Sequence, residues 1–130
     1  MTVKVVSTTQ EIFNTTEAAE VYAPTTMGIV GILPHHTNYV ATLDIGVLEI
    51  KIGNTKQRIV LNGGIIQVMN DEVLVLANEA TKSEELIHEE IEQAINNAQK
   101  KLAAPLEPAE LIKLEKLLRY EKFKQEHLNS

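Results

Sequence analysis

The residues of this chain that could do chemistry are four histidines and a dense group of glutamates. His35 and His36 are adjacent, which invites a metal-site reading. Neighbouring residues in an extended segment point to opposite sides, so the two make a poor joint ligand set. The expectation is one histidine in a turn network and one at the surface. His88 and Glu92 stand four apart, a spacing that puts both on one helix face, where they could share a metal. The HExxH pattern is not completed, because its fifth position is Glu92, and a third ligand is not evident. An exposed, charged helix face is the plainer reading. No GxSxG elbow occurs, and Ser7, Ser83 and Ser130 sit in unremarkable settings for a nucleophile. The glutamates between Glu84 and Glu92 are expected at a helix terminus, ionised and solvated, so they do not form an acid and base pair with separated pKa values. Without cysteine there is no thiolate, disulfide or cysteine-based zinc site. These residues carry no enzyme signature, and no cofactor or metal is expected.

The run Gly28-Ile29-Val30-Gly31-Ile32-Leu33-Pro34-His35-His36 is more informative. Its glycines permit positive φ or a close approach of another group, and Pro34 ends a ladder by removing a donor. A turn, a short buried strand and a hard stop are expected. The GxGxxG and GxxxxGK[ST] spacings are absent and no helix pattern follows, so this is not a phosphate loop. It serves architecture or a partner surface.

Composition narrows the partners. A net charge of −6 argues against nucleic acid, whose footprint is basic. No run of about 18 apolar residues could span a membrane. No basic region followed by an apolar core marks a secretory signal. Any membrane association is expected to run through a partner.

The elements that must position these residues change type near Thr81. Before it, short apolar runs rich in Val, Ile and Thr alternate with turns: Val3–Ser7, Glu17–Ala23, Ile29–Leu33, Tyr39–Leu43, Val47–Ile52, Gln57–Leu61, Ile65–Met69 and Glu72–Ala77. Gly53-Asn54, Asn62-Gly63-Gly64 and Asn70-Asp71 read as breaks between them. Such spacing predicts an antiparallel sandwich or barrel. The continuous run Val73–Ala77 suggests a strand buried on both faces. After Thr81, Ile87, Ile91, Ala94, Ile95, Ala98 and Leu102 form one helical stripe. Thr81 and Glu84 have the spacing of a capping box, with glutamates in the first turns and Lys100-Lys101 in the last. Pro105 and Pro108 break the chain, and Pro108 suits the first position of a second helix. Leu111, Leu114 and Leu118, with Ile112, Leu117 and Phe123, give that helix an apolar face to about His127. Short connections make the two helices antiparallel neighbours, and two helices bury little on their own.

The second helix carries Lys113, Lys116, Arg119, Lys122 and Lys124. They read either as a solvated face held by weak ion pairs with Glu115 and Glu121, or as a basic strip that meets an acidic partner.

Together these residues resemble a family. The Gly28…Gly31-Ile32-Leu33-Pro34…His36 turn is similar to the G-x-x-G-[IVL]-x-P-x-H signature of the epsilon subunits of F-type ATP synthases. Leu43-Asp44-Ile45-Gly46-Val47, Asn62-Gly63-Gly64-Ile65-Ile66-Gln67-Val68 and Val73-Leu74-Val75-Leu76-Ala77 resemble the segments that follow, in order and separation. The resemblance implies an N-terminal antiparallel β-sandwich over residues 1–82 and a C-terminal antiparallel two-helix hairpin over 83–130. It implies a non-catalytic central-stalk subunit whose sandwich binds the gamma subunit and rests on the c-ring, with Gly28, Gly31, Pro34 and His36 in the partner-facing turn. The hairpin is implied to lie folded or to extend into the catalytic head and block ATP hydrolysis. Lys113, Lys116, Arg119 and Lys122 would then meet an acidic segment of the beta subunit, which favours the basic-strip reading. The implied location is peripheral, on the cytoplasmic face of a bacterial plasma membrane or the stromal face of a thylakoid. Two features depart from the family pattern. Residues 86–92 lack the [IL]-D-x-x-R-A motif through which some members bind ATP, and Thr25, Thr26 and Met27 stand where many carry an acidic residue. The alternative is a stand-alone sandwich that binds protein and oligomerises through a helical tail.

Overall fold

The computed structural model describes residues 1–127, so Ser130, considered above, lies outside the described residues. The chain divides into two compact units, Met1–Ser83 and a second unit from Glu84 onward. The first unit is an eight-stranded hydrogen-bonded sheet wrapped around one core. Its strands are β1 (Thr2–Val6), β2 (Glu11–Thr15), β3 (Glu20–Thr25), β4 (Gly28–Ile32), β5 (Tyr39–Ile52), β6 (Thr55–Met69), β7 (Glu72–Ala77) and β8 (Ala80–Lys82). The order is β2-β1-β7-β6-β5-β3-β4, with β8 also on β6. All neighbours are antiparallel except β1 and β7, which run parallel.

β5 and β6 form one long hairpin paired from Tyr39↔Val68 to Ile52↔Thr55. Four expected strands are therefore two, and Asn62-Gly63-Gly64 is a distortion inside a strand instead of a break. Gly63 and Gly64 take φ of +69° and +132°. At Gly64 the backbone passes so close to Leu76 and Ala77 that a Cβ would strike the Leu76 carbonyl. On one side of this point β6 pairs with β7, from Gly64↔Ala77 to Met69↔Glu72. On the other it pairs with β8, from Ile59↔Lys82 to Leu61↔Ala80. The hairpin thus serves two layers, one with β7, β1 and β2, the other with β8, β3 and β4.

Alternation then selects the core. Val3 and Val5 of β1, Val21 and Ala23 of β3, Leu48 and Ile50 of β5, Ile66 and Val68 of β6, and Val73 and Val75 of β7 all turn inward and are buried. Each large aliphatic chain so buried contributes about 1.5–3 kcal/mol relative to exposure. Leu76 alternates outward, so β7 is covered on one face and not on two. β2 was not expected. Its sequence Glu11-Ile12-Phe13-Asn14-Thr15 mixes apolar and polar residues at an edge, where only half-burial of Ile12 and Phe13 is needed.

In the second unit α1 (His88–Leu102) and α2 (Pro108–Glu126) pack on each other across a short connection. The capping-box expectation fails, because Thr81 is paired with Val60 in β8 and cannot cap a helix. A 3-10 turn at Ser83–Glu85 follows, and α1 starts at His88 without a side-chain cap. Pro108 does open α2. Ile91, Ile95 and Ala98 are the buried residues of α1. On α2 the expected apolar face is only half realised. Leu114, Leu118 and Phe123 are half-buried, Leu111, Ile112 and Leu117 are exposed, and the fully buried residue is Tyr120.

Gly64→Ala combines a clash with a strained φ, and each costs about 1–3 kcal/mol. Urea denaturation of that variant should show a loss of about 3 kcal/mol or more. A loss below about 1 kcal/mol would mean that the crossing tolerates a side chain.

Candidate functional site

The glycine and proline signature forms the β3–β4 hairpin and the loop after it. Thr25 pairs with Gly28, so Thr26 and Met27 make a two-residue turn, and Gly28 takes φ +116°, a value that side chains with a Cβ resist. The Thr25 hydroxyl donates to the Gly28 carbonyl and accepts the Met27 amide at 3.2 Å. The Thr26 amide donates to the Thr42 carbonyl at 3.0 Å, tying the tip to β5. Three hydrogen bonds thereby hold the tip in one shape.

Gly31 answers a different need. It sits opposite Tyr22, and a Cβ at 31 would lie 3.1 Å from the Tyr22 ring. The missing side chain leaves the ring room across the strand pair. The Tyr22 hydroxyl donates to Glu20 Oε2 at 3.2 Å. That hydrogen bond, and then the Glu20 charge, hold the phenol above its ordinary pKa.

Beyond β4 the chain leaves through exposed Pro34 into a turn, where the His36 amide donates to the Leu33 carbonyl at 3.1 Å. His35 takes φ +66°, and its amide donates to Asp71 Oδ1 at 2.9 Å. The loop is thereby pinned to the Asn70-Asp71 turn between β6 and β7. The His36 ring meets Tyr39 edge-on at 5.9 Å, and its Nδ1 bonds the Thr37 carbonyl at 2.7 Å. The two histidines do not converge. Among the described residues no group of three His, Cys, Asp or Glu could hold a metal. His88 Nε2 lies 3.1 Å from Glu92 Oε1, and both side chains are exposed.

Gly28, Gly31, Pro34 and His36 thus fall in one hairpin and loop, as side-chain-poor shaping elements. The apolar residues they present were missed from sequence. β4 is an exposed edge strand and not the buried strand expected, and only Ile32 is buried in it. Met27 is 92% exposed and Ile29 78%. A second apolar surface lies on the outward face of the layer formed by β5, β6 and β7. Ile65 stands between Thr42 and Leu76 in register, and Val40 and Met69 are on the same face, all exposed. Its signal was available: β6 is apolar at Ile65 as well as at Ile66, so one of the two had to face outward.

On α2, Lys113, Lys116, Arg119 and Lys122 are all exposed. Spaced by three, they form a basic row that rises about 13 Å and turns about 60° at each step, so Lys113 and Lys122 face opposite sides of the helix. Lys124 does not join it. Its side chain is 15% exposed, with Nζ 3.2 Å from Glu121 Oε1 and 4.4 Å from the Tyr120 ring centre.

The arrangement offers shaped surfaces, and the comparisons say which proteins share it. Residues 1–83 match the family model described as ATP synthase, Delta/Epsilon chain, beta-sandwich domain. The ATP synthase epsilon chain of Carboxydothermus hydrogenoformans is 39% identical over 83 residues, 64% of this chain and 62% of that one. That of Acaryochloris marina is 34% identical over 102 residues, 78% of this chain and 73% of that one. The match to the first of these relatives, like that to the Prochlorococcus marinus chain at 61%, spans about three-fifths of their length. Among solved structures, a chain of the Euglena gracilis mitochondrial ATP synthase, in its OSCP/F1/c-ring assembly, aligns with TM-score 0.79 and 26% identity. It covers 98% of this chain and 80% of that one. A chain from the central stalk/c-ring of the Tetrahymena thermophila mitochondrial enzyme shares the fold, with TM-score 0.69 and 13% identity over 99% and 96%.

The pinning of the loop is open to test. Asp71→Gly removes the acceptor of the His35 amide, suits the φ of +65° at this position and should cost about 1 kcal/mol locally. Hydrogen exchange at His35 should then accelerate about fivefold, with β1 and β7 amides unchanged. An unchanged His35 rate would show that the loop is held by other contacts.

Proposed function

The chain belongs to the epsilon-chain family of ATP synthases, and we propose that it is the non-catalytic subunit of the central stalk that joins gamma to the c-ring and restrains ATP hydrolysis. The coupling role is assigned to residues 1–82. Their rigid β3–β4 tip and outward apolar face are surfaces built for protein partners, the ring and gamma respectively. The regulatory role is assigned to residues 83–130. Membrane contact is made only through the complex, at the cytoplasmic or stromal face that carries the catalytic head. No helix among the described residues is long and apolar enough to cross a membrane.

The observation that carries the reading is the pairing of a family-matched sandwich with a separate, thinly cored helical unit bearing an exposed basic row. Four residues of α1 and α2 that are apolar or aromatic are buried, Ile91, Ile95, Ala98 and Tyr120, against sixteen in the sandwich cluster. A unit with so little burial has a folded arrangement only a few kcal/mol from alternatives, the condition for a two-state device. The row Lys113, Lys116, Arg119 and Lys122 supplies the contact that favours the inhibiting state, against an acidic segment of the beta subunit.

Deleting residues 84–130 removes the helical unit and retains the whole sandwich. The assembled complex should keep its subunit composition and hydrolyse ATP several times faster. Unchanged hydrolysis, with assembly intact, would remove the inhibitory role. In the full-length chain, Lys113→Glu, Lys116→Glu and Arg119→Glu together should relieve inhibition, since like charge at a docked interface costs about 2 kcal/mol or more. Persistent inhibition in that triple variant would make the basic row a solvated face.

A further inference from the structure

The connection between α1 and α2 shapes an apolar pocket. Half-buried Leu106 and Leu114 line it with Ala104, and exposed Lys101, Glu110 and Lys113 complete the lining. The cavity measures about 360 Å³, at the lower end of small-ligand sites, which run from about 300 to 1,000 Å³. The connection is held in one shape. The Ala103 amide donates to the Gln99 carbonyl at 3.2 Å and the Ala104 amide to the Lys101 carbonyl at 3.3 Å, so the chain leaves α1 in a closed turn. Pro105 and Pro108 each fix φ on the way into α2, and the Leu111 amide closes the first turn on the Glu107 carbonyl at 3.0 Å. Leu106 lies between the two prolines, in a segment that has little conformational freedom left to lose on binding.

Charge selects the occupant. Two ammonium groups and one carboxylate line the pocket, a balance of +1 in a chain whose overall charge is −6. Among the described residues neither Lys101 nor Lys113 forms an ion pair. One negative charge on a ligand balances the pocket, whereas the several charges of a polyphosphate would exceed it and meet Glu110. The rest of the lining is hydrocarbon, from Ala104, Leu106, Leu114 and the stems of the two lysines. We infer that this pocket binds an amphiphile with a single negative charge, a medium-chain carboxylate. Its tail lies against Ala104, Leu106 and Leu114, and its carboxylate pairs with the Lys101 and Lys113 ammonium groups. The ligand touches the end of α1, the start of α2 and the segment joining them. It therefore favours the arrangement in which the two helices are paired.

The test is an NMR titration of the full-length chain with decanoate, acetate, inorganic phosphate and decyltrimethylammonium, each below the concentration at which it forms micelles. Decanoate should shift the amides of Lys101, Ala104, Leu106 and Leu114 saturably, while acetate and phosphate at the same concentration leave them in place. Decyltrimethylammonium should bind at least about tenfold more weakly than decanoate. From hexanoate through octanoate to decanoate, each added methylene should tighten binding about twofold or more, since one removed wholly from water is worth about fourfold. Lys101→Glu with Lys113→Glu should weaken decanoate binding at least about tenfold and remove its advantage over the ammonium probe. Both positions are exposed, so helical circular dichroism should be unchanged, which serves as the control. Leu106→Ser, which keeps both cations, should flatten the dependence on chain length. Equal affinity for decanoate and the ammonium probe would reduce the site to an apolar patch and overturn the inference. Saturation by phosphate alone, or decanoate shifts confined to sandwich amides such as Ile65 and Leu76, would overturn it too. These readouts come from the free chain, so their failure would leave the proposed inhibitory role standing.

Discussion

The sandwich depends on one constraint, the passage of the β5–β6 hairpin through both of its layers. This ladder must keep its register from the Tyr39↔Val68 end to the Ile52↔Thr55 end while its neighbours change from β7 to β8. The change is possible because Gly64 lets the backbone come hard against Leu76 and Ala77. Register then fixes everything outward from it. A slip of one residue would turn Ile66 and Val68 out and Ile65, Gln67 and Met69 in. The same register decides that Ile65 faces solvent between Thr42 and Leu76. The apolar outer face is thus a consequence of how the core was filled, and it exists only while the ladder is in place.

The strands were legible in sequence where alternation was clean, as at Val47–Ile52. Their continuity was not. Asn62-Gly63-Gly64 carries the same signal whether the chain reverses or merely crosses from one layer to the other, since both need positive φ. Only the partner strands distinguish the two, and those are set by contacts far along the chain. The start of α1 was misplaced for a related reason. Thr81 and Glu84 satisfy a local capping rule, but pairing of Thr81 with Val60 uses the residue in the sheet. The local preference is worth about 1 kcal/mol, and extending a sheet over a core outweighs it.

The candidate site was legible to a similar extent. Gly28, Gly31 and Pro34 announced a shaped turn, and that is their work. What the turn presents was hidden, because exposure of Met27 and Ile29 depends on β4 being an edge. The reason for Gly31 was hidden as well, since nothing in the local sequence says that Tyr22 will lie across it. On α2 the three-residue spacing of Lys113, Lys116, Arg119 and Lys122 was visible, and so was Lys124. Its withdrawal from the row follows from Tyr120, a single aromatic that outcompetes Leu111, Ile112 and Leu117 for burial and draws Lys124 over its ring. Glu121 is buried beside it and supplies the counter-charge.

That small cluster bears on how a helical unit can be both ordered and changeable. A purely apolar contact face would make its buried arrangement strongly preferred. The Glu121–Lys124 pair instead trades hydration for Coulomb attraction at nearly equal free energy, so its burial adds definition without adding much stability. Removing one partner would be costly, because the other charge would be left buried alone. Exposing both together costs little, because water replaces each partner. A helix face built in this way specifies one packed arrangement and still lets it be exchanged for another. The sandwich, filled with Val, Ile and Leu on both layers, has no comparable exit. The proposed division of labour, a fixed unit for coupling and an exchangeable one for regulation, therefore rests on what each unit buries.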